Sequence, residues 1–291
     1  MSTNNAEDPT IPATAADAPT RPICRPFLKW AGGKTQLLPH LIHRIPNSFK
    51  RYIEPFLGGG ALYFALQPKV AYLADCNDEL INCYQIVRSQ LEELIEELKG
   101  YRYDKEMYYA ARELDRRPDF ASLSRVKRAA RLIYLNKSCF NGLYRVNSRG
   151  EFNVPFGAYT NPTILDQQNL RGCQALLQKA VIQSGNFEQV LEVADKGDFV
   201  YFDPPYAPTS ETSDFTHYSK DGFDDVAQEM LLLVCLQLNQ RGVKWMVSNS
   251  NTALIQELYR GFKIEPVCAL RAINSKAEKR GSVIELIIRN F

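Results

Sequence analysis

The fold is decided at residues 52–61, which read YIEPFLGGGA. This segment begins as a short apolar run typical of a β-strand, passes into three glycines and continues into a helical pattern. Glycines at such a turn allow a tight reversal and let a ligand approach the backbone closely. The next predicted strand, at 70–75, ends at Asp75, where an acid can accept both hydroxyl groups of a ribose. The order of strand, turn, helix, strand and acid predicts a nucleoside cofactor site.

The pattern of apolar runs along the rest of the chain gives the fold class. Strands are predicted at 51–55, 70–75, 180–184, 198–203, 243–248, 262–268 and 283–289. Helical periodicity is found at 78–99, 105–115 and 122–138, before a polar, Gly-containing stretch at 139–160. Strands that alternate with helices predict a doubly wound α/β sheet. We therefore expect residues 23–77 and 178–291 to form one Rossmann-like core, with a mainly helical insertion at 78–177.

Composition limits the classes of protein that fit this chain. Of 291 residues, 45% are hydrophobic and 23% are charged, which are ordinary globular values. No apolar run approaches the roughly 20 residues of a membrane helix. Residues 1–22 lack the basic start and apolar centre of a secretory signal, so we interpret them as a disordered tail. A cytoplasmic protein without membrane attachment is expected.

Cysteine and histidine patterns give no indication of a metal. The seven cysteines form neither a CxxC pair nor the spacing of a disulfide framework, so we expect buried thiols in a reducing compartment. His40 and His43 lie three residues apart on a predicted helix, but no further Cys or His pair completes a site. We expect no metal requirement.

Local charge indicates a nucleic-acid surface more clearly than total charge does. The whole chain has a net charge of +2, whereas residues 101–150 hold twelve Lys and Arg against five Asp and Glu. Six tyrosines lie among these cations, and aromatic rings can stack on bases. The alternative is a solvated helical face. The six are Tyr101, Tyr103, Tyr108, Tyr109, Tyr134 and Tyr144.

A nucleotide triphosphatase is the first alternative for the N-terminal motif. Residues 32–35 read GGKT and resemble the end of a phosphate-binding P-loop. That loop needs a glycine five residues before the first member of the Gly-Lys pair, and Leu28 stands there. No buried strand precedes it. The stretch FLKWAGGK at 27–34 therefore needs another explanation.

The second strong motif lies at 199–206, which reads FVYFDPPY. An apolar strand ends here at an acid, and open α/β sheets bind ligands at the carboxyl ends of their strands. Two prolines remove local donors and stiffen the turn, leaving the Asp203 carboxylate and the Pro204 carbonyl as convergent acceptors. Such a pair suits an amino group with two hydrogens, as in adenine, and Tyr206 can stack on a base removed from the duplex.

Taken together, these motifs resemble those of the Dam-type DNA adenine methyltransferases, over about residues 23–291. The order is a cofactor motif, then a recognition insertion, then a catalytic motif. Residues 27–34, 54–60 and 203–206 carry the likeness with Asp75, and 134–136, 140–145 and 150–157 are similar to that family's target-recognition segment. The resemblance implies a Rossmann-like methyltransferase core that uses S-adenosylmethionine, with 78–177 as a DNA target-recognition domain.

The resemblance also implies a role for particular residues. Catalysis falls to Asp203, Pro204, Pro205 and Tyr206. Cofactor contacts fall to Trp30, Lys34, Glu54, Phe56, Gly58, Asp75, Phe187 and Asp203, although residues 184–186 around the last aromatic depart from the family pattern. DNA contacts fall to Lys29, Phe140, Asn141, Leu143, Arg145, Pro155 and Tyr159. A basic stretch from Arg271 to Arg280 is predicted to contact phosphate.

The implied reaction is methyl transfer to the 6-amino group of adenine in duplex DNA, with GATC as the site. Lys29 would read the first guanine, and Arg145 the guanine opposite the final cytosine. Leu143 and Pro155 would contact a thymine methyl group. Phe140, where the family usually has Tyr, would fill the gap left by the flipped base. Transfer would be a direct in-line displacement that needs no metal.

Three alternatives stand beside this reading. They are a methyltransferase acting on RNA, one acting on a protein amide, and a DNA-binding relative without catalysis. Protein-glutamine enzymes of similar type carry Asn at the first catalytic position, where this chain has Asp203. Trp30, Asp75 and Asp203 are present, which disfavours an inactive relative. The expected protein is a cytoplasmic monomer that binds double-stranded DNA and associates with the nucleoid.

Overall fold

The computed structural model describes residues 24–30, 32, 34, 36–208, 223–270 and 282–291. The predicted tail at 1–22 and the basic stretch from Arg271 to Arg280 lie outside them. Among the described residues, the strands are β1 (Tyr52–Glu54), β2 (Ala71–Asp75), β3 (Ala180–Ser184), β4 (Phe199–Phe202), β5 (Lys244–Ser250), β6 (Lys263–Leu270) and β7 (Ser282–Arg289). The helices are α1 (Leu38–Ile42), α2 (Ala61–Leu66), α3 (Asp78–Ser89), α4 (Leu91–Lys99), α5 (Lys105–Glu113), α6 (Arg125–Ser138), α7 (Gln167–Leu177), α8 (Val190–Val193), α9 (Asp225–Gln240) and α10 (Ala253–Leu258).

The described strands form one sheet in the order β3-β2-β1-β4-β5-β7-β6. All neighbours are parallel except β7, which runs antiparallel to both β5 and β6. Every strand predicted from the apolar runs is confirmed, and so is the Rossmann-like α/β fold class. Strand order reverses between β1 and β4, and ligands of such sheets bind in the crevice at the carboxyl ends of those strands.

The sheet is covered on both faces, as a parallel sheet requires. Successive side chains of β4 enter different apolar cores: Phe199 and Tyr201 join one cluster, and Val200 and Phe202 join the other. Because successive side chains of a strand point to opposite faces, the two cores lie on opposite sides of the sheet. The short apolar run that predicted β4 is therefore fully buried.

Helix starts follow local side-chain chemistry. Several begin where an Asn, Asp, Ser or Thr side chain accepts a backbone N–H of the first turn, which satisfies one of the free donors there. These residues are Asn77, Asp104, Ser124, Asp166, Asp224 and Thr252. The helical stretch predicted at 78–99 is two helices, because Gln90 leaves helical geometry at φ −138°.

The middle of the chain has an apolar core of its own. Tyr108, Tyr134, Cys139, Phe152 and Val154 form a third buried cluster, built from α5, α6 and the hairpin that follows. Isolated bridges pair Cys139 with Phe156 and Val146 with Phe152. By contrast, α3 packs against β2 and β3 although it lies within the range 78–177. The domain boundaries at 77 and 177 stay a prediction.

The tyrosines of the basic segment do not form an open stacking surface. Tyr108 and Tyr134 have no exposed surface, so the expectation that they stack on bases is wrong for both. Tyr101 stacks on Tyr134 with ring centroids 4.4 Å apart, and Tyr103 stacks on Phe156 at 4.7 Å. Tyr108 and Tyr134 are instead part of the apolar core of this segment.

Many cations of the same segment have acidic partners. Arg116 pairs with Asp115 at 3.2 Å, and Arg128 pairs with Glu79. Arg131 is buried and pairs with Asp115 at 2.7 Å. The local charge excess therefore overstates the number of cations that can meet phosphate.

All seven cysteines are free. Cys83, Cys139, Cys173 and Cys235 are buried as expected, but Cys76 and Cys268 are exposed, which corrects the prediction for these two. Among the described residues, every helix is too short or too polar to cross a bilayer. The same part of the chain contains no group of three or more His, Cys, Asp or Glu that could hold a metal ion.

Candidate active site

Asp203 lies directly after β4, at the carboxyl end of the sheet. Ser248 on the neighbouring strand β5 donates a hydrogen bond to its Oδ1 at 2.8 Å, and Tyr201 lies 2.9 Å from the same hydroxyl. The Lys34 ammonium also lies 2.7 Å from Asp203 Oδ1. The contacts of Ser248 and Lys34 thus both use Oδ1, and neither engages Oδ2. The carboxylate is therefore fixed in orientation by one oxygen only.

Lys34 ties the N-terminal motif to the catalytic motif. Its side chain is 8% exposed, and its ammonium also donates to the Gly32 carbonyl at 2.7 Å. The same ammonium lies 4.5 Å above the Tyr206 ring, within range of a cation–π contact. This lysine has a carboxylate, a carbonyl and a ring as partners, so the resemblance of 32–35 to a P-loop has no functional meaning here.

Three carboxyl groups share this region and affect one another. Burial raises the pKa of Asp203, whereas the charge of Lys34 and hydrogen bonds from Lys34 and Ser248 lower it. Burial also raises the pKa of Glu54 well above its usual range; a hydrogen bond from Tyr52 opposes this, and the charges of Asp203 and Asp75 add to it. Burial and mutual repulsion therefore both disfavour ionisation of these carboxyl groups, and a positively charged ligand bound among them would favour their ionised forms.

The loop after Asp203 is held by buried amides. Gln228 of α9 donates to the Pro205 carbonyl at 3.0 Å and accepts from Asn249 at 2.9 Å. Asn249 in turn accepts the Ala207 N–H at 3.2 Å. Gln228 and Asn249 are both fully buried. The Pro205 carbonyl thus has a protein partner, and the Pro204 carbonyl is the neighbouring acceptor of the turn.

Contacts at the hydroxyl and at one face of the ring fix the orientation of Tyr206. Its hydroxyl donates to Glu285 of β7 at 2.8 Å, while Lys34 covers one face of its ring. A base that stacks on Tyr206 would therefore use the other face.

The glycine turn places Asp75 beside the first strand. The Gly58 N–H donates to Asp75 Oδ2 at 2.9 Å, and the Asn77 N–H donates to Oδ1 at 3.0 Å. Gly58 has φ +47°, and a side chain there would begin 2.8 Å from Trp30 Cδ1. Glycine is therefore required both by the backbone conformation and by the indole packed on the turn.

Aromatic side chains surround the same end of the sheet. Phe56 stacks on Phe187 at 5.3 Å, and Phe223 packs edge-on against both. Phe187 begins a short 3-10 turn before α8 and is 8% exposed. The family resemblance implied that both rings contact the cofactor, and the structure brings the two rings together.

These residues fit an adenosyl group. The half-buried Asp75 carboxylate, whose two oxygens are each oriented by one backbone N–H, keeps lone pairs for two ribose hydroxyls. Apolar rings beside it suit a purine. Glu54 is the member that fits least, because it is 2% exposed and accepts the Tyr52 hydroxyl at 2.9 Å.

The residues that resemble DNA contacts lie on and beside one turn. Phe140 is 49% exposed, and Asn141 adopts φ +56°, a conformation that Asn tolerates better than most side chains. The Lys29 ammonium lies 4.6 Å above the Tyr159 ring. Leu143 follows the turn and Pro155 is exposed, with the Pro155 carbonyl accepting the Phe140 N–H at 2.9 Å.

Arg145 projects from the hairpin after this turn. Its Nε donates to Asn153 Oδ1 at 2.6 Å, and its side chain is exposed. Its Nη2 also donates to the Asn153 carbonyl at 3.4 Å, so both hydrogen bonds tie the guanidinium to one residue of the hairpin. Asn153 is thus a partner that the motif comparison did not identify.

Sequence reasoning missed other residues of the site. Tyr144 stacks on Trp30 at 4.9 Å, which joins the recognition hairpin to the cofactor segment. Ser248 and Asn249 were visible as a polar run, SNS, that ends an apolar strand, and this signal could have been used. Glu285 and Gln228 gave no local signal, because their partners are distant in the chain.

Fold and site together define a Rossmann-like α/β protein with a cluster of carboxyl groups at the switch point of its sheet. Residues 30–273 match the family described as D12 class N6 adenine-specific DNA methyltransferase. The chain belongs to this family and is a site-specific, adenine-specific DNA methyltransferase. The family assignment disfavours the RNA, protein-amide and inactive alternatives.

Relatives that align with most of this chain are also named as methyltransferases or methylases. The type II methyltransferase M1.LlaDCHI of Lactococcus lactis subsp. cremoris is 45% identical over 271 residues, which cover 92% of this chain and 95% of the relative. The type II methyltransferase M.MjaIII of Methanocaldococcus jannaschii is also 45% identical, with 92% and 99% covered. The DNA adenine methylase of Haemophilus influenzae is 37% identical, with 90% and 92% covered.

Proposed function

We propose that this enzyme transfers the methyl group of S-adenosylmethionine to the 6-amino nitrogen of a flipped adenine within GATC. The observation that carries the proposal is the pattern of contacts at the Asp203 carboxylate. Its Oδ1 is held by Lys34 and Ser248, which leaves Oδ2 as an acceptor at the carboxyl end of β4. When bound, S-adenosylmethionine supplies an electrophilic methyl group on a positively charged sulfur.

The chain supplies orientation and charge. Asp203 Oδ2 and the Pro204 carbonyl accept the two hydrogens of the amine, which favours a localised lone pair in the transition state. Tyr206 stacks on the extruded base with the ring face that Lys34 leaves free. Phe140, exposed on its turn, fills the gap in the duplex. Because transfer is a direct displacement between aligned groups, positioning supplies much of the rate.

Radiolabelled methyl transfer to defined duplexes tests this proposal. We expect a GATC duplex to accept label from S-adenosylmethionine, and a duplex with adenine replaced by 2-aminopurine to gain fluorescence on binding as the base leaves the stack. Label on every duplex that differs at one base pair would contradict GATC. Label without a fluorescence change would contradict flipping but not methylation.

Cofactor capture gives a prediction for Asp75. We expect Asp75→Ala to weaken S-adenosylmethionine binding by about 1.5–3 kcal/mol, because charge-assisted hydrogen bonds to the ribose are lost. Calorimetry measures this directly, and DNA binding without cofactor should change little. The matched control is Asp78→Ala, which removes an exposed acid from the start of α3. Unchanged cofactor affinity in Asp75→Ala would assign that carboxylate another role.

Base reading gives a prediction for Arg145. A guanidinium can donate two parallel hydrogen bonds to guanine, so Arg145→Ala should lose about 1–3 kcal/mol of discrimination at the fourth base pair. The readout is kcat/KM on duplexes changed at that position alone. Arg149→Ala is the control, since its side chain is 77% exposed on the same hairpin. An equal loss on every sequence would mean that Arg145 contacts phosphate instead.

A further inference from the structure

The Asn136 side chain forms hydrogen bonds with both the N–H and the carbonyl of Lys29. Its Oδ1 accepts the Lys29 N–H at 2.8 Å, and its Nδ2 donates to the Lys29 carbonyl at 2.7 Å. The side-chain amide thus pairs with this residue as a neighbouring strand would. The same Nδ2 also donates to the Gly142 carbonyl at 3.1 Å. Asn136 lies near the end of α6 and is 1% exposed.

Two more contacts fix the Lys29 side chain. Gly142, at φ +65°, packs on its stem so closely that an added Cβ would lie 2.7 Å from Lys29 Cβ. Its ammonium lies over the Tyr159 ring. A lysine stem is flexible and loses considerable rotamer freedom when ordered. Contacts that order it before DNA arrives reduce the cost of using it as a reader.

The chain contains a natural comparison four residues earlier. Asn169 of α7 accepts the Arg25 N–H at 2.9 Å and donates to the Arg25 carbonyl at 3.0 Å. Here, however, the Arg25 side chain is 78% exposed and pairs with Asp166. The two asparagines make the same backbone clamp, and only Asn136 extends its clamp to the recognition turn.

We propose that Asn136 is a positioning residue for target recognition, which sets Lys29 in register with the turn at Phe140–Gly142. Asn136 is buried and does not touch DNA. It joins the segment that leads to Lys34 and the catalytic carboxylate to the turn that carries the DNA contacts. This inference rests on the proposed function, in which Lys29 reads a base.

The test compares discrimination profiles of isosteric variants. Asn136→Asp keeps the acceptor for the Lys29 N–H but turns a carboxylate oxygen toward two carbonyl oxygens. The profile is kcat/KM on the cognate duplex divided by kcat/KM on each duplex with one changed base pair. It is measured for the wild type, Lys29→Ala, Asn136→Asp, Asn136→Ala, Asn169→Asp and Asn169→Ala. As a ratio on one preparation, it does not depend on the fraction of folded enzyme.

We expect both Asn136 variants to lose about tenfold or more of the discrimination at the base pair where Lys29→Ala loses it, the scale of one good base contact. The Asn169 variants should keep the wild-type profile within about twofold, as distant substitutions act independently. If the Asn136 variants do not fold, Gly142→Ala provides a second route, because its Cβ displaces Lys29 directly. We expect it to give the same positional loss.

Each outcome that differs from these expectations contradicts a particular claim. A wild-type profile in folded Asn136 variants, or an equal loss in the Asn169 variants, overturns the positioning role while Lys29 remains a reader. A Lys29→Ala profile without positional loss overturns base reading by Lys29, and the inference with it. A wild-type preference for a sequence other than GATC overturns that part of the proposed function alone, because the comparison with Lys29→Ala does not depend on which site is methylated.

Discussion

Asp203→Ala is expected to lose methyl transfer by a factor of about 10² or more, the scale of removing a preorganised group that stabilises developing charge. DNA affinity should be largely kept, because in the proposed mechanism Asp203 meets the DNA only at the reacting base. Single-turnover transfer and a binding titration on the same duplex separate the two effects. Asp203→Asn keeps the shape but not the charge, and its rate should lie between those of the wild type and the alanine variant. Wild-type turnover in Asp203→Ala would remove this carboxylate from the mechanism.

The same carboxylate sets a pH dependence. The proposed mechanism needs Asp203 in its ionised form, and burial raises its pKa above the ordinary 3.8, so activity should fall as the pH decreases through that raised value. The hydrogen bond from Ser248 favours the ionised form. Ser248→Ala should therefore move the acid limb of the kcat/KM profile to higher pH, and an acid limb in the same place would contradict this role for the hydroxyl.

Arg131→Met is expected to have the largest effect on stability. Arg131 is 4% exposed, donates to the Ala111 carbonyl at 2.7 Å and pairs with Asp115. Asp115 also accepts the Phe152 N–H at 2.8 Å, so this pair joins α5, α6 and the recognition hairpin. Removing Arg131 deletes its buried hydrogen bonds to the Ala111 and Arg112 carbonyls and leaves Asp115 with Arg116 as its remaining cationic partner. We expect a loss of about 3 kcal/mol in the free energy of unfolding.

Urea unfolding measures this loss. The control is Arg117→Met, whose pair with Asp119 is about half exposed on both sides and should contribute little to stability, because solvent screens it. Equal losses in Arg131→Met and Arg117→Met would contradict the importance of burial.

Sequence reasoning succeeded where a physical requirement leaves a local pattern. Strands buried on both faces must be continuously apolar, so β4 and β5 were recognisable, and the acid that ends β4 stood out against its apolar neighbours. Glycines at 58–60 were informative because the turn has a positive φ and an indole packed on it. These patterns identified the class of fold and the positions of Asp75 and Asp203.

It failed where the partner of a residue lies far away in the chain. Asn136 looks like any polar residue of a helix, and only the folded chain brings the Lys29 backbone to it. Charge counting overstated the number of available cations for a related reason. Twelve cations in fifty residues predicted a basic surface, but pairs such as Arg131 with Asp115 form across helices and are invisible to a sum of charges.

Strand order has a consequence for how the chain folds. β1 lies between β2, which follows it closely, and β4, which follows the whole insertion; the ion pair of Arg51 with Asp198 joins residues 147 positions apart. Parallel pairing over such a separation is slow, because a long loop must close before any contact forms. The cluster of α5, α6 and the hairpin is local and can form first. A nascent chain therefore exposes one unpaired edge of β1 until β4 leaves the ribosome, and aggregation competes with folding during that interval.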